Sequence, residues 1–386
     1  MRILYLAPRY HTNQTPIVRG WKNNGDEVKF ISYYTAPIED YRDIQPVVLG
    51  FAAWYRAFYH LYAEVIHRNR REAVNNKITY GYPPTRRLKK EIIAFHPDVA
   101  ILRDRTIYTM KAYDICRKNR IPCILYNQSP LWDEPPKTDF FHRYVYRHTP
   151  EVRITPVLGH PNAPGKTVTK GAYYVPFAIE PGCAPGKRTY FANGAIRILC
   201  IGKFEPRKHH LMLMRAVQKL RRETGRPLFL TVIGEASGHL QREYYRTVTQ
   251  ALHEEKMEDF VTVQANVCRE GVKELYLATD LFVIPSTREM ASVSQLEAMS
   301  YSIPVICSNT NGTACYTVDG WNGYQFRDCD EADLYDKIET VTRDPGMLKK
   351  MGANAYQSVL ESYTFDGYYS KIVKILKENF NINCDR

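Results

Sequence analysis

The sequence predicts two α/β domains in series, each built on a parallel β-sheet with helices on both faces. Short apolar runs alternate with segments of helical length along the whole chain, which is the pattern of fully buried parallel strands. A stretch near residues 180–195 is rich in glycine and proline, lacks apolar periodicity and separates two sets of runs. Two such sets indicate two doubly wound domains joined by a linker.

Ten runs are the predicted strands. In order they are Ile3–Ala7, Val28–Ser32, Val99–Leu102, Cys123–Tyr126, Tyr173–Phe177, Ile196–Ile201, Leu228–Ile233, Val261–Val263, Leu281–Pro285 and Val305–Cys307. A chain of 386 residues that is 44% hydrophobic and 24% charged has the composition of a soluble globular protein. No apolar run approaches the roughly twenty residues of a membrane span, so we expect no transmembrane helix. The nine cysteines are scattered without a C-x-x-C pair, which indicates a reducing compartment and no zinc site.

The positive charge is concentrated in the first half of the chain. Residues 1–190 hold 29 Lys and Arg against 16 Asp and Glu, which gives them a larger excess than the +12 of the whole chain. The second half is therefore close to neutral. This asymmetry predicts an anionic partner for the first half, such as a membrane surface, a phosphorylated lipid or a nucleic acid. The alternative is a merely solubilising surface.

One segment of the first half, residues 51–71, combines aromatic and basic residues over a helical length. Trp54 and Phe58 share one helical face, and Arg68, Arg70 and Arg71 close the segment. Aromatic rings and cations both favour the headgroup region of an anionic membrane, so these five residues are our membrane-binding candidates. The alternative is a helix whose aromatic face is buried against the sheet.

Two loops of the second half carry the chemistry. Gly202-Lys203 follows a buried strand, and Lys208 lies just before a helix, so cations stand where this architecture binds ligands. The second loop begins at Pro285-Ser286 and leads into a helix whose free N–H groups suit phosphate oxygens. It carries Glu289 and, eight residues later, Glu297, and carboxylates accept hydrogen bonds from sugar hydroxyls.

These loops resemble the retaining GT-B glycosyltransferases of family four, the glycosyl transferases group 1. The matching elements are Gly-Lys-x(4)-Lys at 202–208, Pro-Ser-x-x-Glu-x(7)-Glu-Ala-Met at 285–299, Ile-Pro-Val-Ile at 303–306 and Asp-Gly-x-x-Gly at 319–323. The resemblance implies a GT-B fold: two Rossmann-like domains that face each other across a cleft, and a C-terminal helix that crosses back to the first. The expected ranges are 1–188 for acceptor binding, 189–362 for donor binding and 363–386 for the returning helix.

The resemblance also implies roles for single residues. Lys203, at a position where the family usually has arginine, and Lys208 would hold the donor's diphosphate and stabilise it as it leaves. Glu289 would contact the hydroxyls of the donor sugar, and Glu297 the nucleotide ribose. We expect Lys208 to face a crevice, so that its replacement affects folding little. The other expected donor-binding residues are Gly202, Val267 near the base, Met290, Ala291, Ser292 and Val293; Met290, Ala291 and Ser292 replace the family's usual glycine-rich stretch.

The first half resembles the family less. Asn127 and Gln128 follow a predicted strand where the family often has a histidine, and they are candidate contacts for the acceptor or the sugar. The sequence has no pattern typical of a metal site, in agreement with a metal-independent hexosyltransferase that has no cofactor beyond its nucleotide-sugar co-substrate.

We therefore expect a retaining enzyme that is cytoplasmic and peripherally attached to an anionic membrane. It would transfer sugar to a glycan or lipid-linked acceptor in polysaccharide or glycolipid assembly. One alternative is a phage-type DNA glycosyltransferase, but aromatic and basic residues that share one segment favour a membrane over a nucleic acid. Another alternative is a non-catalytic GT-B binding subunit, against which the retained lysines and glutamates argue.

Overall fold

The computed structural model of the protein describes residues 1–36, 39–65, 76–132, 139–159 and 168–383. The chain divides into two compact units. Of the described residues, those within 1–156, 168–178 and 365–383 belong to the first unit, and those within 157–159 and 179–364 belong to the second. The expected boundary at residue 188 thus falls inside the second unit, in the segment before its first strand.

Strands and helices alternate along both units. The strands are β1 Arg2–Ala7, β2 Glu27–Ser32, β3 Val47–Val48, β4 Val99–Arg103, β5 Cys123–Tyr126, β6 Arg153–Thr155, β7 Ala172–Tyr174, β8 Ile196–Ile201, β9 Leu228–Gly234, β10 Val261–Ala265, β11 Leu281–Ile284, β12 Val305–Ser308 and β13 Gly323–Phe326. The α-helices that lie wholly within the described residues are α1 Thr15–Asn23, α2 Ala53–Val65, α3 Thr85–Phe95, α4 Ile107–Lys118, α5 Phe140–Arg147, α6 His210–Thr224, α7 His239–Glu254, α8 Arg269–Ala278, α9 Val293–Ser300, α10 Glu331–Arg343, α11 Pro345–Ser362 and α12 Phe365–Phe380.

Each unit contains one parallel sheet. The seven strands of the first sheet are ordered β3-β2-β1-β4-β5-β6-β7, and the six of the second β10-β9-β8-β11-β12-β13. Neighbouring strands pair in parallel throughout both sheets. In both sheets the strand order reverses beside the first strand of the unit, which places a crevice at the carboxyl ends of the central strands. The predicted class, two doubly wound α/β domains, is confirmed.

Strand β1 shows how the sheet of the first unit is covered on both faces. Ile3 and Tyr5 pack in one hydrophobic cluster with α1 and α12, whereas Leu4 and Leu6 pack in another with α3 and α4. Since successive side chains of a strand point to opposite faces, a continuous apolar run is what a sheet buried on both sides requires. The expected return of the C-terminal helix to the first unit is confirmed by α12.

Three strands lack the apolar runs from which the others were predicted. β3 is two residues long, β6 is Arg-Ile-Thr and β13 is Gly-Tyr-Gln-Phe. β3 and β13 lie at sheet edges, where a strand has only one neighbour and needs less apolar surface. Our set of ten strands was therefore too small, because these three segments offer no apolar run of strand length.

The aromatic segment forms helix α2, Ala53–Val65. Trp54 and Phe58 are each 60% exposed, so the alternative that buries this face against the sheet is wrong for these two side chains. Arg68, Arg70 and Arg71 lie outside the described residues. Within the described ranges, none of the helices has the length and apolar character needed to cross a bilayer.

Candidate functional site

The candidate site lies at the carboxyl edge of the second sheet, where the strand order reverses between β8 and β11. The loops that follow these two strands begin at Gly202 and at Pro285. Gly202 passes so close to the end of β9 that a Cβ on Gly234 would lie 1.8 Å from the Gly202 carbonyl oxygen. A Cβ on Gly202 itself would lie 3.2 Å from Cδ of Lys208, so glycine leaves room for that side chain over the strand end.

Lys208, Arg207 and Glu289 form the centre of the site. The Lys208 ammonium donates a hydrogen bond to Oε2 of Glu289. The Arg207 guanidinium donates to the same oxygen at 2.7 Å and to Glu205 at 2.8 Å. Lys208 is only 8% exposed. We expected this side chain to face a crevice and its replacement to affect folding little; the structure pairs it with a carboxylate that is itself mostly buried, so we now expect its replacement to affect stability.

The charges of this cluster stabilise one another. Burial alone would raise the pKa of Glu289, but the Lys208 and Arg207 cations hold that pKa below its ordinary value of 4.5. Burial alone would lower the pKa of Arg207, yet Glu289 and Glu205 raise it above its ordinary value. Glu289 and Arg207 are therefore charged at neutral pH, and the cluster lies at the point where an anionic ligand is expected.

Lys203 lies apart from that cluster. Its ammonium is 3.0 Å from Oε2 of Glu235, which follows β9, and the side chain is 48% exposed. The cation that reaches Glu289 beside Lys208 is Arg207, to which the sequence analysis gave no role. The signal was present in the sequence as a second cation directly before Lys208.

The loop that carries Glu289 is held from two sides. The backbone N–H of Thr287 donates to the Arg207 carbonyl at 2.9 Å, and the N–H of Gly312 donates to the Glu289 carbonyl at 2.7 Å. A Cβ on Gly312 would lie 1.8 Å from the Met290 carbonyl oxygen. Glycine at 312 is therefore required for the close approach that fixes the position of Glu289.

Glu297 is placed differently, on helix α9. Its Oε2 accepts a hydrogen bond from the Tyr276 hydroxyl of α8 at 3.0 Å. Burial raises the pKa of Glu297, and the Tyr276 hydrogen bond and the nearby Arg269 only partly oppose this. The two glutamates thus have different electrostatic environments: Glu289 is paired with cations, whereas Glu297 is a desolvated carboxylate that accepts a hydrogen bond.

A buried network of polar side chains supports the N-terminal end of α9, and the sequence analysis did not detect it. The Gln295 side chain is fully buried. Its carboxamide accepts from Asn311 at 3.1 Å and donates to Thr317 at 2.8 Å, and the Thr313 hydroxyl binds both Gln295 and the backbone N–H of Ser292. Since each of these buried groups has a partner, the network fixes the loop 311–317 against the helix.

The remaining donor-binding candidates lie around these loops. Val267 follows β10 and is partly buried, and Ser292 is the buried N-cap residue of α9. Met290 is 61% exposed, and Ala291 and Val293 are partly buried. In the first unit, Asn127 follows β5 and its side-chain oxygen accepts a hydrogen bond from Arg153 at 3.1 Å. Gln128 donates to the Tyr126 hydroxyl at 3.4 Å.

Across the described residues, no three or more His, Cys, Asp or Glu side chains are grouped so that they could hold a metal ion. The charged groups that the second unit does assemble at its sheet edge are the two cations on Glu289 described above. They suit a diphosphate, because guanidinium and ammonium groups are the usual protein partners of phosphate oxygens.

Comparison with solved structures identifies the fold class. A glycosyltransferase from Rickettsia africae superposes with a TM-score of 0.72 at 15% identity, over 98% of this chain and 98% of that chain. Anabaena HepE, in a complex with UDP and glucose, superposes with a TM-score of 0.70 at 13% identity, over 98% and 100%. These likenesses show the fold, which is GT-B as predicted.

The family match lies on the second unit. Residues 187–358 match the family described as Glycosyl transferases group 1. A D-inositol 3-phosphate glycosyltransferase of Nocardia farcinica is 28% identical over 199 residues, which are 48% of this chain and 42% of the relative. The match thus spans less than half of that relative. The four motifs on which the resemblance rested all lie within residues 187–358.

Proposed function

We propose that the chain is a retaining glycosyltransferase. It would move a sugar from a nucleotide-sugar to a glycan or lipid-linked acceptor at the cytoplasmic face of a membrane, in polysaccharide or glycolipid assembly. The observation that carries this proposal is the contact of Lys208 and Arg207 with Glu289 inside the group 1 segment. The Anabaena structure with UDP and glucose supports a nucleotide-sugar donor, and the name of the Nocardia relative supports the transfer of a sugar.

Donor binding would exchange the partners of this cluster. In the structure, Glu289 pairs with both Lys208 and Arg207. A diphosphate would take over the two cations, and sugar hydroxyls would take over Glu289. Each of these charged groups would then still have a partner in the donor complex. Lys203, held by Glu235 at the neighbouring strand end, would add a third cation at the rim.

In the reaction, the bond between the anomeric carbon and the β-phosphate oxygen breaks, and its electron pair leaves with the diphosphate. The acceptor hydroxyl oxygen forms the new bond on the same face of the sugar, and its proton passes to the departing phosphate oxygen. Negative charge grows on the diphosphate in the transition state, and fixed cations at that position lower the barrier. We propose that Lys208 and Arg207 supply this stabilisation without a metal ion.

A donor screen tests the proposal directly. Thermal unfolding is followed with UDP-, GDP-, ADP- and CMP-sugars, and one of them is expected to stabilise the protein by about 2.7 kcal/mol at a hundred times its dissociation constant. The anomeric proton signal of the product then reports whether configuration is retained. Stabilisation by none of the four classes, together with no donor hydrolysis, contradicts the proposal in favour of a non-catalytic GT-B subunit.

We propose that helix α2 attaches the protein to the membrane. The exposed rings of Trp54 and Phe58 and the basic excess of the first half support this. The protein is expected to sediment with vesicles that contain anionic lipid and not with neutral vesicles, and binding should weaken as salt rises, because exposed charges are screened within a Debye length. Equal binding to neutral vesicles, or preference for duplex DNA, contradicts the membrane assignment.

A further inference from the structure

The first unit gathers arginines at the carboxyl edge of its own sheet, at the point where the strand order reverses between β1 and β4. Arg9 follows β1, and Arg103 is the last residue of β4. Arg105 follows two residues later, and Arg153 pairs in register with Leu125 near the end of β5. Carboxyl ends at a reversal of strand order are where doubly wound sheets bind ligands.

The carboxylates at this edge pair with only part of the cluster. Glu39 lies 3.1 Å from Nδ1 of His11 and 3.8 Å from the Arg9 guanidinium. Its pKa is held at about 2, since hydrogen bonds from His11 and Thr12 outweigh the effect of burial. Asp104 lies 3.4 Å from the Arg103 guanidinium. Asp104 also attracts Arg105 electrostatically, but among the described residues neither Arg105 nor Arg153 forms an ion pair with a carboxylate.

Arg153 has only neutral partners. Its guanidinium donates to the Asn127 side-chain oxygen at 3.1 Å, to the Ser129 carbonyl at 3.1 Å and to the Pro130 carbonyl at 3.3 Å. Asn127, itself buried, is therefore a positioning residue that orients Arg153. The pKa of Arg153 is lowered, first by burial and then by the positive charge of Arg105, so the two guanidinium groups are close enough to repel each other.

Arg105 has still fewer partners. Its guanidinium stacks 4.7 Å from the centre of the Tyr146 ring. Its Nε is buried and has no hydrogen-bond partner in the described structure, and no carboxylate forms an ion pair with it there. Burial lowers the pKa of Arg105 as well. Both guanidinium groups are partly buried, and neither forms an ion pair with a carboxylate among the described residues, so together they define a site for an anion.

We propose that Arg105 and Arg153 bind a phosphate group of the acceptor, with Arg9 and Arg103 at the border of the site. The planar guanidinium fork matches phosphate oxygens in pairs, which a solvent-facing lysine cluster would not do. The proposal rests on the proposed function, since it names the chemical class of the acceptor: a phosphomonoester or phosphodiester. It also explains why the positive excess belongs to the half of the chain that lacks the donor motifs.

The test titrates the full chain with glycerol phosphate, and with glycerol as the uncharged control. Arg105→Gln and Arg153→Gln are expected to weaken glycerol phosphate binding about tenfold or more, the effect of losing a charge-assisted hydrogen bond. Arg117→Gln is the matched control, because this exposed arginine lies in the last turn of α4, at the opposite edge of the sheet. It should change the affinity less than about twofold.

A second titration with UDP separates this proposal from the proposed function. Lys208→Ala should weaken UDP binding and leave glycerol phosphate binding unchanged, whereas Arg105→Gln should do the reverse. If glycerol phosphate affinity follows Lys208 and not Arg105, the phosphate occupies the donor site and the proposal is overturned. If UDP fails to bind the parent protein while the arginine variants still lose glycerol phosphate, the donor assignment fails and the phosphate site stands.

Vesicles distinguish the two sources of phosphate. Phosphatidic acid vesicles compete with glycerol phosphate if the acceptor phosphate belongs to a lipid, and they do not compete if it belongs to a soluble molecule; phosphatidylcholine vesicles provide the control. Arg105→Lys keeps the positive charge and removes the fork, so it preserves folding if the Gln variant unfolds. Full affinity in a folded Arg105→Lys protein overturns the guanidinium assignment.

Discussion

Replacing Lys208 with alanine removes the cation that the structure places against Glu289. The two side chains are 10% and 13% exposed, so their pairing lies largely out of water. Breaking a buried ion pair costs about 3–5 kcal/mol when the remaining charge has no other partner. Arg207 still donates to Glu289 at 2.7 Å, and we therefore expect a loss of about 2–3 kcal/mol in the free energy of unfolding, below the loss for a charge left with no partner.

The effect on activity should be larger than the effect on stability. Losing one group that stabilises the charge of the departing diphosphate lowers kcat by about a hundredfold or more. The assay is donor hydrolysis or transfer at a temperature where circular dichroism shows the variant to be folded. The fall should appear in kcat more than in KM, because the leaving-group charge exists fully only in the transition state.

The pH dependence gives an independent check. The folded-state pKa of Glu289 is held below its ordinary value of 4.5 by Lys208 and Arg207. The carboxylate therefore contributes stability above pH 4.5, and that contribution is lost as the pH falls through the depressed folded pKa. Without Lys208 this pKa rises, so acid unfolding of Lys208→Ala should begin at a higher pH than in the parent protein.

Arg215→Ala is the matched control, since it breaks an exposed pair with Glu255 in the same unit, with side chains 49% and 29% exposed. It should cost no more than about 1 kcal/mol and leave turnover unchanged. A folded Lys208→Ala protein with normal kcat would falsify the role of Lys208. If its stability and its acid unfolding also match those of Arg215→Ala, the buried contact with Glu289 does not form in solution.

Three further variants test other parts of the structure. Glu297→Gln should weaken UDP binding with no loss of stability at neutral pH. Burial raises the folded-state pKa of this carboxyl, so its charged form costs stability above that pKa, and this cost disappears below the unfolded value of 4.5. Unchanged UDP affinity in calorimetry contradicts the ribose assignment. Gly312→Ala places a Cβ 1.8 Å from a backbone carbonyl oxygen and should cost about 1–3 kcal/mol in urea unfolding and lower turnover, whereas Gly186→Ala, with nothing within 4 Å, should change neither. The double variant of Trp54 and Phe58 to alanine should change the free energy of unfolding by less than about 1 kcal/mol, since both rings are 60% exposed, and should weaken vesicle binding with little change in its salt dependence; a collapse of the melting temperature would show that both rings are core residues.

The sequence was sufficient for the strands that form apolar runs and insufficient for β3, β6 and β13. Residues 3–7 of β1 and the whole of β11 are continuous apolar runs, the pattern of strands buried on both faces. β6 begins with Arg153, whose side chain reaches out to the sheet edge while its backbone still pairs with β5. Hydrophobicity alone cannot identify a strand whose side chains serve a polar edge.

In the candidate site, the sequence located the residues but not the contacts between them. The motifs located Lys208 and Glu289 because each follows a strand that ends at the same sheet edge. Their contact joins residues 81 apart, and no local pattern states which of several cations a carboxylate selects. Lys203 pairs with Glu235 and Arg207 takes the place beside Lys208, a choice that depends on where each backbone leaves its strand. The arginine site of the first unit joins residues from different strands and has no motif to reveal it.

The route of the chain through α12 has a consequence for the order of folding during synthesis. The ring centre of Trp21 in α1 lies 5.2 Å from that of Phe365 and 5.3 Å from that of Tyr369. The Tyr5 hydroxyl oxygen lies 3.2 Å from that of Tyr368, 363 residues later. A ribosome that has released the rest of the first unit has thus not yet released the helix that completes its core. The second unit holds all its elements in one continuous stretch and is free to fold earlier, so the nascent first unit presents an open apolar face to chaperones for the whole time that the second is made.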